Sequence, residues 1–599
     1  RLVGLLLAAA TPCAAQAPIR YEISFPNAVH HEAEITVVFP DINPGTLEIR
    51  MSRTSPGRYA LHEFAKNVYD FRATGAGGRA VVVERPDLHQ WNVSDHGGEV
   101  RVSYTLYGDH ADGTYTGIDL THGHLNMPAT FVWARGLEAR PMELTVHVPE
   151  GSGWRVATQL APTDDPYRFT APDLDYWMDS PTEVSDFWET SWQVQGPDGP
   201  ETIRIALHHT GTDAEAEAYA RGAQEIVQAE QRVYGTFPRY DYGTYTFLAC
   251  YLPWADGDGM EHRNSTVLTS TGSLSRAPQR LLGTVAHEYF HSWNMERIRS
   301  MELEPFDFEH ADMSRELWFG EGFTSYYTDL SMWRAGIVDD AGFATAVGRA
   351  AAAVVNSRGR RYASPVEMSM QAPFVDAAVS VDETNFANTF LSYYTWGEGI
   401  GLGLDLTLRT RFPGVTLDDL MREMWRAHGS PEIPYGVDDI EAALARVTGD
   451  PGFAHDFFER YVRGRDVVDY ASLLAAAGIR FGPADPGRPS IGPVRLGPGP
   501  DGVVVDGPTL VDTPLYDAGV DRGDRVTALG GRRLRRPQDV DAALEGHRPG
   551  ERIEIRWVSR GDEHRAMLSL AQDESLSASV ASEADDAVRF RTAWKEGDR

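Results

Sequence analysis

Residues 285–294 read VAHEYFHSWN, and any fold of this chain has to accommodate them. Histidines four apart point the same way only on a helix, so His287 and His291 demand a helix with one face committed to imidazoles. The residues before them, RLLGTVA, carry apolar side chains at helical spacing and predict that helix. Two imidazoles on one face can grip one Zn²⁺, and Glu288 between them can reach water beside the ion. Two half-buried core histidines would give the same pattern, so a third ligand has to decide. Glu321, opening the aromatic-rich run EGFTSYYTDL, is the candidate. A His₂Glu set leaves one coordination position open, as catalytic rather than structural zinc requires. Alone, such a glutamate could simply complement a helix N-terminus; after HEYFH, ligation is the stronger reading.

The rest of the chain is long enough to build a large scaffold around that helix. It has 599 residues, too many for one core and enough for about three or four domains. With 42% hydrophobic and 10% aromatic residues it has a folding composition. A formal charge of −32 argues against nucleic acid and anionic membrane surfaces as partners. The beginning, RLVGLLLAAATPCAAQAPIRYEI, has the basic residue, short apolar run and small residues of a secretory signal peptide over 1–17. This implies a periplasmic or secreted protein; Pro12 directly before Cys13 argues against lipoprotein processing. If Cys13 is removed, Cys250 remains alone and no internal disulfide can form. No later run is long and apolar enough for a transmembrane segment.

Along the chain the hydrophobic period changes. Residues 18–190 alternate or run in β-branched and aromatic residues (HEAEITVVF, RVSYTLYG, MELTVHVP) and predict an N-terminal all-β domain. Residues 191–482 begin with strands such as TIRIALHH and continue mostly as amphipathic helices. FGPADPGRPSIGPVRLGPGPDG then marks a linker, followed by a small unit over 483–575. Residues 576–599 are a polar tail, expected to be frayed. The fold class is therefore multidomain α+β.

Four segments in this order resemble the M61 family of metallopeptidases, the glycyl aminopeptidases: GDGMEHRNST (257–266), HEYFHSWN, LWFGEGFTSYY and SYYTWGEGIG (392–401). The gap from His291 to Glu321 exceeds the spacer of the related M1 aminopeptidases. The resemblance implies a thermolysin-like, mostly helical catalytic domain holding one Zn²⁺ through His287, His291 and Glu321. It makes Glu288 the general base and Tyr394 the group that hydrogen-bonds the tetrahedral oxyanion. Glu261 would pair with the free α-ammonium of the substrate, and Glu183 would be a second ammonium anchor. One departure is Trp396, where the family usually has lysine. The last unit, around TPLYDAGVDRGDRVTALGG, resembles a bacterial PDZ domain, a module that takes peptide C-termini by strand addition. The implied function is an aminopeptidase acting on peptides with a free N-terminus and small first residues. Its rivals are a zinc endopeptidase on the same scaffold and a non-catalytic PDZ-bearing peptide-binding protein. An intact set of ligands and base argues against the last.

Overall fold

The structure, a computed structural model, describes residues 17–375 and 384–597. The leader expected over 1–17 therefore falls, apart from Ala17, outside the described residues. From Ile19 the chain is β-rich. In Ile19–Asn27 the residues Ile19, Tyr21, Ile23 and Phe25 are buried in alternation, the period-2 pattern of a strand with one face on a core. This strand lies inside a seven-stranded sheet, antiparallel to Glu32–Phe39 and parallel to Met142–His147. Two four-stranded sheets complete this part. One of them runs in the order Arg155–Thr158, Thr182–Ser185, His122–Leu125, Gly117–Ile118.

Next comes a five-stranded sheet. Gly199–His209, Thr244–Tyr251 and Ser265–Ser270 run parallel, and Asp258–His262 pairs antiparallel to the last at the edge. The crossover between the first two parallel strands is the helix Asp213–Tyr234. It opens with a Thr212/Glu215 capping box and stops at Gly235 in the left-handed region. The helix Pro278–Phe290 carries HEYFH and starts on Pro278, where a missing N–H costs nothing.

Two later helices, Leu317–Arg334 and Tyr393–Arg411, cross almost in backbone contact. A Cβ on Gly322 would stand 2.3 Å from Gly397 Cα, and one on Gly397 would stand 1.9 Å from Trp318 O. The glycines of EGFT and TWGEG thus set how closely the helix of Glu321 meets the helix of Tyr394. Trp396 beside them is 1% exposed and belongs to the helical core.

The sequence-based expectation for residues 576–599 is overturned. Leu576–Val580 pairs antiparallel with Ile479–Pro483, and Asp585–Glu596 is a helix. Its Trp594 is fully buried against Trp333 and Phe343 and donates to Tyr326 Oη at 2.9 Å. Polar composition hid this because only one face of the helix is apolar. The chain therefore leaves the helical region at Pro483 and returns at Leu576. The unit between them has its own apolar core, from Ile491 to Leu570, on a six-stranded sheet with the helices Pro514–Asp517 and Gln538–Leu544. Among the described residues no helix is long and apolar enough to cross a membrane.

Candidate active site

His287 and His291, one turn apart, present their Nε2 atoms to the same carboxylate. Glu321 Oε2 is 3.5 Å from His287 Nε2 and 3.2 Å from His291 Nε2. The opposite ring nitrogens are occupied: His287 Nδ1 lies 3.2 Å from Thr328 Oγ1, and His291 Nδ1 donates to Asn294 O at 2.7 Å. Asn294 in turn donates to Phe319 O and Gly320 O, tying the end of one ligand helix to the start of the other. With Nδ1 held, each Nε2 lone pair points inward, which is how a metal-binding histidine is oriented.

A hydrogen bond that sequence reasoning missed completes the cradle. Tyr59 Oη, from the SPGRY loop 262 residues away in the β-rich part, donates to Glu321 Oε1 at 2.6 Å. Tyr59 is 2% exposed. No periodicity announces such a residue; the only hint was a Pro-Gly turn followed by two residues able to reach a carboxylate. Gly57 in the same loop has φ +78°, and a Cβ there would meet Met260 Sδ at 2.0 Å and Glu261 Oε2 at 3.0 Å. The neighbouring Arg58 pairs with Asp258, so the loop is pinned to the edge strand that carries Glu261.

Glu261, Glu288 and His291 present ligand-type atoms within 4.8 Å of one another, as do His287, His291 and Glu321. Room for Glu288 comes from Gly259, where a Cβ would stand 2.1 Å from Glu288 Oε1. The electrostatics follow from three buried carboxylates around two imidazoles. Burial alone would raise the Glu321 carboxyl, but His291 and His287 outweigh it and hold it well below the usual range. Burial pushes Glu288 far up, and Glu261 and Glu321 add to that push. Glu261 is likewise raised by burial and by Glu321. Burial works to lower His291, yet Glu261 and Glu321 bring it up to about 10. A divalent cation relieves this crowding of negative charge, and the two imidazoles and one carboxylate suit zinc. The residues present therefore fit the ion.

Tyr394 lies on the first turn of its helix, its ring stacked on His287 at 5.9 Å. Its neighbour Tyr393 is 1% exposed and packs edge-on to Tyr59. Of the adjacent tyrosines it is Tyr394 that stands beside a ligand. Glu183, expected to anchor an ammonium, faces other partners. Its carboxylate is 1% exposed and turned to His122, His124 and His208, because strand register sets it opposite His124.

The family model for the peptidase M61 N-terminal domain matches residues 20–186, and that for the M61 glycyl aminopeptidase matches residues 280–400. The fold is similar to that of an aminopeptidase N family protein from Idiomarina loihiensis. The TM-score is 0.82 at 23% identity, over 96% of this chain and 99% of that one. More distant similarities include an M1 zinc metallopeptidase from Deinococcus radiodurans (TM-score 0.43, 13% identity, 76% of this chain and 94% of that one) and yeast LTA4 hydrolase in complex with bestatin (0.46, 12%, 79% and 73%). No curated protein matches the sequence. With both halves of the family pattern in chain order and HEYFH inside the second, the chain belongs to the M61 glycyl aminopeptidase family of metallopeptidases.

Proposed function

We propose that the protein is a zinc-dependent aminopeptidase that removes small first residues from peptides with a free α-amine. One observation carries this reading: Glu261 projects from the edge strand to within 4.8 Å of the base Glu288 and the ligand His291. A carboxylate so close to the reacting bond fixes a cationic N-terminus one residue from it, which makes cleavage exopeptidic. The preference for a small first residue follows from the family resemblance.

When bound at His287, His291 and Glu321, zinc supplies a Lewis acid for the scissile carbonyl and acidifies water. Glu288 takes the proton from the attacking water and delivers it to the leaving amine. Tyr394 donates its hydroxyl hydrogen bond to the oxyanion as charge develops there. Glu261 holds the ammonium throughout. We read the 1–17 stretch as a leader to the periplasm or exterior. The PDZ resemblance of the 483–575 unit is supported by a groove lined by Ile491, Val494, Leu496, Val540 and Leu544, beside the edge strand Leu496–Gly499. Peptide C-termini are its natural occupants.

The test is Glu261→Ala. Leaving a buried ammonium without its counter-charge costs about 2–5 kcal/mol. kcat/KM on glycyl and alanyl anilides should fall by about thirty-fold or more, with zinc content unchanged and the already slow turnover of N-acetylated substrates affected far less. Wild-type preference for blocked peptides, or full free-amine activity in the variant, would hand the assignment to an endopeptidase.

A further inference from the structure

The strand register that turns Glu183 away from the peptidase site assembles a second set of donors. His124 is the cross-strand partner of Glu183, and His208 is the partner of Cys250. The first pair lies in the four-stranded sheet of the β-rich part and the second in the five-stranded sheet. Where the sheets meet, His122, His208 and Cys250 bring ligand atoms within 4.8 Å of one another. Glu183 Oε1 lies 3.5 Å from His122 Nδ1 and 3.7 Å from His208 Nδ1, and Cys250 Sγ is 3.8 Å from His122 Nδ1.

From these distances we propose that His122, Glu183, His208 and Cys250 form a second metal site, a closed four-donor centre for zinc that fastens the N-terminal β-rich part to the peptidase sheet. Donors at the corners of a tetrahedron around zinc stand about 3.3–3.6 Å apart, given bonds of about 2.0–2.3 Å. Three of the donor separations, 3.5, 3.7 and 3.8 Å, lie at or just above that range, the two N···O distances being long for hydrogen bonds, and the remaining ones among His122, His208 and Cys250 are within 4.8 Å. Glu183 Oε1 and His208 Nδ1 are buried and make no hydrogen bond, although Glu183, His122 and Cys250 are each only 1% exposed. Apart from these long mutual contacts, the buried carboxylate oxygen and the buried imidazole nitrogen are without a hydrogen bond, which is costly and which a cation between them would relieve.

Supports stand behind the donors. His122 Nε2 faces Asp119 Oδ2 at 3.5 Å, and Asp119 itself accepts from Trp254 Nε1 at 2.9 Å. The second carboxylate oxygen of Glu183 is taken by His124 Nδ1 at 3.1 Å, and His124 Nε2 donates to Asp112 O at 2.8 Å. A carboxylate behind a histidine and a histidine behind a carboxylate both aim the inner atom at the shared point. One thiolate and two imidazoles favour zinc over calcium or magnesium, and four protein donors leave no open position for a substrate. The role is structural.

Sulfur distinguishes this centre from the peptidase site, whose ligands contain none. The full chain, expressed with added zinc and purified without chelator, should carry two zinc ions by elemental analysis. Its zinc-edge X-ray absorption should show a sulfur shell at about 2.3 Å. Cys250→Ala should remove that shell and lower the content to one. His287→Ala should also lower the content to one but keep the shell. A single zinc without sulfur scattering in the wild type overturns the second site while leaving the aminopeptidase reading intact, and a sulfur shell that survives Cys250→Ala overturns it too. The wild-type measurement decides alone if Cys250→Ala does not fold.

Discussion

Tyr59 shows how much one residue outside the motif contributes to the site. Its hydroxyl holds the free oxygen of Glu321 at 2.6 Å in a buried setting, so it fixes which oxygen turns to the histidines. Partners of this kind typically contribute 10–100-fold in metal affinity. Tyr59→Phe should therefore weaken zinc binding by about that factor in chelator competition while leaving one zinc in the peptidase site at saturation. Unchanged zinc affinity would show that Glu321 needs no such support. The candidate ligands and Glu288 were legible because helical spacing places them: His287 and Glu288 lie on one helix with His291 at its C-cap, and Glu321 lies in the second turn of another. Tyr59 was not, because loops from distant chain positions leave no period in the sequence. Glu183 was misplaced because a single carboxylate carries no direction until the strand register is known; opposite His124, it can only face the histidines.

Among the elements, the crossing of Leu317–Arg334 with Tyr393–Arg411 governs the site, and it carries a half-buried acid pair. Glu398 is hydrogen-bonded to Asp329, and burial and the Asp329 charge raise its carboxyl from 4.5 to about 8, against the opposing pull of Arg349. Folded, the group keeps a proton that the unfolded chain has lost between about pH 4.5 and 8. The helix pair is thus most favoured below that window and loses stability as pH rises through it. Glu398→Gln keeps the contact without the titration. It should be more stable than the wild type at pH 9, by about 1 kcal/mol or more given ~1.4 kcal/mol for each tenfold change in proton affinity, with little advantage at pH 4.5. Thermal unfolding at the two pH values checks this, and an equal difference at both would contradict it. The tight approach of Gly322 and Gly397 was likewise hidden: glycine in a helix reads as a weakness until the neighbouring backbone is seen.

At the scale of the molecule, the division into a β-rich front, a helical body and a small terminal unit was readable from the change of hydrophobic period. The order of chain and space at the end was not. Because Pro483 and Leu576 are register partners, the 483–575 unit is inserted into the helical body rather than appended to it. The returning strand lies so close on the helix Asp340–Asn356 that a Cβ on Gly348 would stand 2.3 Å from Ala578 Cβ. Beyond it, Trp594 seals a pocket formed by Trp333, Phe343 and Tyr326. Two ways of removing the unit should then differ sharply. Ending the chain at Pro483 also strips the strand and Trp594, and losing a buried tryptophan alone costs about 3–5 kcal/mol, so that product should be insoluble or unfold far below the wild type. Excising 484–575 and joining Pro483 to Leu576 through a short turn keeps both and converts the pair into a hairpin. It forfeits the Arg358–Glu574 ion pair and the contacts of Asn388 with Thr509 O and Val511 N. Asn388 precedes Tyr394 by six residues, so some loss of kcat is expected. The excised protein should nonetheless fold, load zinc and hydrolyse a small anilide. Equal behaviour of the two forms in soluble yield, thermal unfolding and hydrolysis would mean that the C-terminal strand and helix do not belong to the peptidase body.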